Sequence, residues 1–345
     1  MNLKTEVWNE DCVAGLQNRV ADESVDLTVT SIPFEELFTY SGKPEDVGNN
    51  GSTIDVRAGR FALNMRFAVA QLYRVMRPGC NVCIHIQQLL AYKNQHGYSG
   101  RRDFRGAMVD VFGAAGFNFA GEAAIPKDPQ AMANKLNLIS LQFKTGCKVD
   151  SNRWAPAPND YVLIFHKPGD NPHPVLCEQW EKPRHWENGR LTGGVLRRDG
   201  GGWVSDTEWI AWAKGTWEDI MEVDVLDGAR NKGYKEEKFE KHVCPLQLEV
   251  IRRCVSLYSN PVSVQPDVTV LDPFMGIGST AWVCCGAASP MTKLKLAEPR
   301  NVTGFELKES YHAAAVANVA KALRAGEVLP DLYSGNVAVE EAVAV

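Results

Sequence analysis

The sequence predicts an α/β fold with a mainly parallel sheet, and three observations carry that prediction. Short β-rich runs alternate with segments of helical periodicity along the chain. The run Val268 to Leu271 enters a Gly-x-Gly loop, Asp272-Pro273-Phe274-Met275-Gly276-Ile277-Gly278, and then Ser279-Thr280-Ala281-Trp282-Val283, which reads as a helix start. A second run, Ser24 to Thr30, leads straight into Ser31-Ile32-Pro33-Phe34. Two strand-to-loop elements therefore stand near opposite ends of the chain.

In chain order, Glu6 to Trp8 reads as a short strand, and Asn9 to Leu16 as a turn into a helix. Val25, Leu27 and Val29 alternate as in a half-buried strand. A polar loop without periodicity spans Tyr40 to Thr53. Arg60 to Arg77 follows as a helix, with Phe61, Met65, Ala68, Val69, Leu72 and Val75/Met76 on one face. Arg77-Pro78-Gly79 stops that helix, and Asn81 to Ile86 reads as a buried strand. Arg101 to Ala115 is predicted as a helix ended by Gly116, and Tyr161 to Phe165 as a strand ended by Lys167-Pro168-Gly169. Beyond Pro168 the composition shifts: six of the nine tryptophans, Trp180, Trp186, Trp203, Trp209, Trp212 and Trp217, fall close together. They flank a glycine- and arginine-rich stretch from Gly189 to Gly202, as expected of an inserted lobe with a basic loop. Glu240 to about Tyr258 opens another helix. Val302 to Leu307 is a second short strand carrying an acid, Glu306, at its tip.

A chain of 345 residues can bury a large core, and 45% hydrophobic with 23% charged residues fits a soluble globular protein. No run has the length of a membrane span, and Met1 to Glu6 lacks the apolar core of a signal peptide. Nine scattered cysteines suit a reducing cytoplasm. Cys80-Asn81-Val82-Cys83 has metal-ligand spacing but no second pair, so no metal is expected. A net charge of −5 means that any nucleic-acid contact must come from local basic patches.

Glycine lets backbone approach a ligand closely, and a helix N-terminus beyond a strand favours such an approach. An acid at the tip of the next strand suits the two hydroxyls of a ribose. The loop lacks the third spaced glycine of a nicotinamide-binding fingerprint and is preceded by Asp-Pro-Phe, which disfavours that chemistry. Cys244-Pro245 has the reverse order of the nucleophile loop of C5-cytosine methyltransferases.

Asp272-Pro273-Phe274-x-Gly276-x-Gly278-Ser279-Thr280 closely resembles the S-adenosylmethionine motif of DNA amino-methyltransferases, and Ser31-Ile32-Pro33-Phe34 resembles their catalytic motif. The order of parts, catalytic motif first and cofactor motif last, resembles the β group, whose sheet is circularly permuted. Lys241-His242-x-x-Pro245-x-x-Leu248, Asn9-Glu10-Asp11-Cys12 and Arg74-Val75-Met76-Arg77-Pro78-Gly79 match further segments of that group. The likeness spares roughly 170–238. Phe34 to Tyr40 and Asp46 to Asn49 look most like phage or prophage members. The family usually has proline where this chain has Ile32, and a few residues where this chain runs from Ala287 to Asn301. That long connection is expected to lie on the surface beside the cofactor pocket.

The resemblance implies the methyltransferase fold: a doubly wound, mixed seven-strand sheet, circularly permuted, with a small inserted lobe. It divides the chain into a catalytic half (1–169), a target-recognition lobe (170–238), a cofactor-binding half (239–334) and a frayed tail (335–345). It implies a catalytic role for Ser31, Ile32, Pro33 and Phe34. Cofactor contacts fall to Asp11, Cys12, His242, Asp272, Pro273, Phe274, Gly276, Gly278 and Glu306. Asp272 also reads as a simple helix cap. An exocyclic amine is a poor nucleophile because its lone pair is delocalised into the ring. Ser31 Oγ and the Ile32 carbonyl would bond its hydrogens and orient it, with Phe34 as a stacking face for a flipped base. Serine in the first position favours N4 of cytosine, with N6 of adenine and a catalytically decayed DNA-binding protein as alternatives. The expected partner is double-stranded DNA, without membrane or metal and with a homodimer left open, in the cytoplasm of a bacterial cell. Arg101, Arg102, Arg105, Arg190, Arg197 and Arg198 are the expected phosphate contacts, although the first three also read as a solvated face.

Overall fold

In a computed structural model of the chain, the described residues are 3–34, 45–49, 56–136, 148, 150–153, 155–175, 180–196, 204, 206–226 and 246–327. A seven-stranded sheet forms the centre, built from β1 (Thr5–Trp8), β2 (Val25–Ser31), β3 (Met76–Gln87), β6 (Asn118–Ile125), β7 (Asp160–His166), β10 (Thr269–Asp272) and β11 (Asn301–Phe305). The spatial order is β1-β11-β10-β2-β3-β7-β6. All neighbours from β1 to β3 are parallel, whereas β7 runs against both β3 and β6. The sheet is mixed, as expected.

Helices cover both faces. One core packs α1 (Cys12–Arg19), α2 (Arg60–Val75) and α3 (Phe104–Ala114) on the sheet through Leu16, Phe61, Met65, Leu72, Phe104 and Phe112. A short helix, α4 (Pro129–Leu136), follows β6. The other core packs α6 (Leu248–Tyr258), α7 (Ser279–Cys284) and α8 (Glu309–Glu327) through Ile251, Val255, Ala281, Ala315 and Val319. Every α2 residue placed on the apolar face from periodicity is buried. The helix ends at Val75 because Met76 turns to extended backbone and starts β3, two residues before the proline.

β2 departs from the half-buried reading. All six residues from Val25 to Thr30 are buried, because the strand is central and covered on both sides. Its alternating polar residues do not face water; they find partners inside. Asp26 accepts from Gln265 Nε2 and Thr269 N, each at 2.8 Å, and Thr30 Oγ1 donates to Asp272 Oδ1 at 2.6 Å. Buried polar groups bonded in this way avoid the desolvation penalty that would otherwise oppose the strand.

The helix expected from Arg101 begins later. Arg101 and Arg102 belong to β5 (Gly100–Arg102), which pairs with β4 (Leu89–Ala91) in a small hairpin beyond the end of β3. Asp103 then caps α3 by accepting from Gly106 N at 2.9 Å. Gln88 Oε1 accepts from Phe104 N and Arg105 N, so the first-turn donors are spent on side chains.

β8 (Trp180–Glu187) and β9 (Arg190–Leu196) form a two-stranded sheet of their own, followed by α5 (Asp206–Trp212). The chain then returns to the main domain. Trp217 N donates to Ala124 O at 2.8 Å on edge strand β6, and Trp217, Ile220 and Leu226 join the second core. Trp212 and Trp217 are buried beside the guanidinium groups of Arg252 and Arg253 on α6, while Trp209 is exposed. These two tryptophans thus pack on the main body.

Candidate active site

A cleft opens along the carboxyl ends of β1, β11, β10 and β2. Such a position, outside the strand ends where chain order reverses, is where open α/β sheets bind ligands. Its lining includes Asp11 and Cys12 after β1, Ser31 to Phe34 after β2, Asp272 to Gly276 after β10, and Glu306 after β11. The two motifs at opposite ends of the sequence therefore share one wall. Their junction is Asp272. Besides Thr30, it accepts from Phe274 N at 3.0 Å and from Thr280 Oγ1 at 2.6 Å. One buried carboxylate thus ties β2, the glycine loop and α7 together. Burial raises its pKa to about 6. It does not cap α7, whose first turn is preceded by Gly278.

Glu306 follows β11, the strand next to β10, and lines the same cleft. Its Oε2 accepts from Gly276 N and its Oε1 from Lys308 N, each at 2.8 Å. Each carboxylate oxygen retains a second acceptor direction. Burial raises its pKa to about 7, against the pull of the two backbone donors, with Asp272 and Asp46 adding like charge. Asn9 Nδ2 donates to Glu306 O at 2.8 Å and fixes the turn after β1 beside it.

The glycines divide the work. Gly276, at φ +54°, lines the cleft in a conformation that L side chains rarely adopt. Gly278, at φ +88°, stands behind it, where an added Cβ would lie 3.1 Å from Ala315 Cα on α8. Asp11 is the N-cap of α1 and accepts from Val13 N and Ala14 N at 3.0 Å. Cys12 is buried, and desolvation pushes its thiol far above the ordinary range, so it offers apolar surface and not a nucleophile. Replacing Asp11 with alanine is expected to remove about 1 kcal/mol of stability through the lost cap, read as a lower Tm. An accompanying loss of ligand affinity would assign Asp11 a second role at the cleft.

Ile32 and Phe34 line the cleft and are buried, at 1% and 4% exposure. The Phe34 ring stands edge-on to His85 at 6.5 Å and tilted against Phe104 at 6.3 Å. Behind Ser31 lies a group that no sequence motif announced. Ser31 Oγ is 3.2 Å from His85 Nδ1, and His85 Nε2 is 3.1 Å from Asp160 Oδ2. Asp160 also meets Lys127 Nζ at 2.7 Å and accepts from Gln87 Nε2 at 2.9 Å. Burial pushes the Asp160 carboxyl up, but His85 and Lys127 outweigh it and hold the pKa below the usual value. Sheet register was the missing signal: Ser31 pairs with His85 across β2 and β3, and Gln87 with Asp160 across β3 and β7.

The described arginines of the proposed DNA contact differ in exposure and pairing. Arg101 is exposed and its Nη2 donates to Pro156 O. Arg102 is buried and its Nε donates to Leu90 O at 3.3 Å. Arg105 pairs with Glu122 and lies 5.6 Å from the Phe119 ring centroid. Arg190 is exposed on β9, while Arg197, Arg198 and His242 lie outside the described residues. The connection from Ala287 to Asn301 contributes nothing to the cleft lining; Ser289 instead bonds Asp224, which anchors it away from the cleft. Among the described residues, no cluster of metal ligands occurs and no helix is long and apolar enough to cross a membrane.

Residues 25–317 match the DNA methylase family of the N6/N4 type. Solved structures share the architecture. The candidate DNA modification methylase TTHA0409 of Thermus thermophilus, complexed with S-adenosyl-L-methionine, is 16% identical, with a TM-score of 0.58 over 92% of this chain and 94% of that one. The cytosine-N4-specific PvuII DNA methyltransferase is 14% identical, with a TM-score of 0.53 over 97% and 98% of the two chains. No curated protein sequence matches the chain. At these identities the structural likeness establishes the fold: the mixed seven-strand sheet of S-adenosylmethionine-dependent methyltransferases.

Proposed function

This chain belongs to the N6/N4 DNA methylase family, and on that premise we propose that it methylates the exocyclic amino group of a base flipped out of double-stranded DNA. The cofactor is S-adenosylmethionine and the favoured target is N4 of cytosine. The observation that carries the proposal is the Thr30–Asp272 junction, which joins Ser31 and the glycine loop in one cleft. The late chain position of the glycine-loop strand supports the permuted, β-group order. The wording of residues 34–40 and 46–49 supports a phage or prophage type.

The residues present fit the cofactor. A carboxylate with spare acceptor directions, a positive-φ glycine and an apolar lining of Cys12, Leu246, Ile277 and Tyr311 suit a nucleoside with a polar tail. Glu306 would accept the ribose hydroxyls, Asp11 and Cys12 would meet the adenine end, and Asp272, Pro273, Phe274 and Gly276 would enclose the remainder. The sulfonium supplies an activated methyl group when bound. Ser31 Oγ and the Ile32 carbonyl then accept the amine hydrogens, draw the nitrogen out of conjugation and aim its lone pair. Phe34 supplies apolar surface against the base. Flipping opposes binding by a few kcal/mol in duplex DNA, which stacking and these bonds must offset.

We divide the chain functionally as 1–169 for catalysis, 170–238 for target recognition and 239–334 for cofactor, in a cytoplasmic bacterial setting. Arg101 and Arg190 are the exposed described arginines of the proposed DNA face, with Arg197 and Arg198 beside the latter in sequence. Replacing Arg197 and Arg198 by alanine should lower the salt slope of DNA binding by roughly 0.9 per lost phosphate contact and leave cofactor affinity unchanged. An unchanged slope would remove both from the interface.

Transfer of tritiated methyl groups to synthetic duplexes tests the function. Label in alternating G·C polymers, and none in alternating A·T polymers, is the expected result. Label only in A·T polymers would move the target to adenine. Label in neither polymer nor in natural DNA would contradict the enzyme reading and favour a DNA-binding protein of the same fold.

A further inference from the structure

We propose that His85, backed by Asp160, is the acceptor of the proton that leaves the target amine by way of Ser31. The inference rests on the methyl-transfer reading above and adds a residue set to it. A serine hydroxyl can bond an amine hydrogen, but it cannot keep a second proton at neutral pH. Something must take that proton, and Ser31 Oγ stands 3.2 Å from a ring nitrogen able to do so.

The nitrogen–methyl bond forms as the methyl–sulfur bond breaks, and the electron pair of the broken bond returns to sulfur, which becomes a neutral thioether. The methylated amine, now cationic, passes a proton to Ser31 Oγ as the serine's own hydrogen passes to His85 Nδ1. The imidazolium charge then faces Asp160 Oδ2, 3.1 Å from Nε2. The proton leaves to water after the product departs.

Three features suit this route. The His85 and Asp160 side chains are only 8% and 7% exposed, so the charge created on the ring meets a carboxylate and not bulk water. Buried Nε2 makes no hydrogen bond in the ground state, and Asp160 Oδ2 stands 3.1 Å away, ready to bond it when the ring gains charge. Lys127, 2.7 Å from Asp160 and 3.7 Å from Glu222, together with Gln87 keeps Asp160 an anion in a fixed orientation. Ser31 and Phe34 from the β2 side and Asp160 from β7 face the ring. His85 touches no substrate in this scheme; it acts through Ser31.

Two experiments test the proposal. In His85→Asn, the amide oxygen can still accept from Ser31 but cannot take the proton. Its kcat should fall on the order of 10²-fold, with S-adenosylmethionine affinity and DNA binding retained. The acidic limb of the kcat profile should also disappear. Wild-type turnover with the same acidic limb would overturn the route. Independently of any variant, 15N spectra of histidine-labelled wild-type protein should show the neutral His85 ring protonated at Nε2 and bare at Nδ1. A proton on Nδ1 would overturn the route, because the ring would then donate to Ser31. An inactive wild-type chain would instead sink the methyl-transfer reading itself, so the two failures are distinguishable.

Discussion

Glu306→Ala is expected to weaken S-adenosylmethionine binding by at least about 10²-fold in calorimetry. Two hydrogen bonds to a charged acceptor contribute roughly 1.5–3 kcal/mol each, so even the lower figure gives that factor. The substitution also strips Gly276 N and Lys308 N of their acceptor, which loosens the loop on the same wall. The pH dependence provides a second reading of the same group. Burial raises Glu306 to about 7, from the 4.5 of a free glutamate. Its ionised form is thus disfavoured in the folded protein. Its contribution to stability is full below pH 4.5 and is lost as pH rises through about 7. Asp272, raised to about 6, and Asp26, also raised, act in the same direction. Cofactor binding should run the opposite way, because ribose hydroxyls donate best to an ionised carboxylate. Affinity should tighten as pH rises through about 7 in the wild type and lose that dependence in the variant. Unchanged affinity in Glu306→Ala would remove the residue from the site.

Ser31→Ala is expected to lower kcat by about 10²–10³-fold, the usual effect of deleting one preorganised polar group at a reacting centre. Cofactor affinity should stay unchanged, because the proposed cofactor contacts are Glu306 and the glycine loop. Ser31 is partly exposed at the end of β2, so the substitution removes a hydroxyl without opening the core. A fall in cofactor affinity with kcat unchanged would reverse the assignment and make Ser31 part of the cofactor wall.

The strands and helices that position the cleft were legible where local pattern decides structure. Apolar periodicity placed the buried face of α2, and the two strand-to-loop motifs placed the ends of β2 and β10. Asp272 shows where legibility stops. From sequence it read as a helix cap or a cofactor contact, yet it bonds Thr30, which precedes it by most of the chain length. Only sheet order could bring them together. The same holds for His85 and Asp160: an isolated histidine in a strand carries no motif, and the cross-strand register that sets it against Ser31 is a long-range property. β2 looked half-buried because Asp26, Thr28 and Thr30 are polar; their bonding partners, distant in sequence, hide that the strand is central. The pairing of two arginines was hidden in a related way. Arg102 and Arg105 looked like surface charge, but one bonds a hairpin carbonyl and the other a glutamate on β6.

Whether this cleft methylates an exocyclic amine of DNA is tested most directly by mass spectrometry of nucleosides. DNA incubated with the protein and S-adenosylmethionine is digested and its modified nucleosides identified. The expected product is 4-methylcytosine, absent from the control with Ser31→Ala at matched time. DNA that binds the protein and yet carries neither 4-methylcytosine nor 6-methyladenine would contradict the methyltransferase reading.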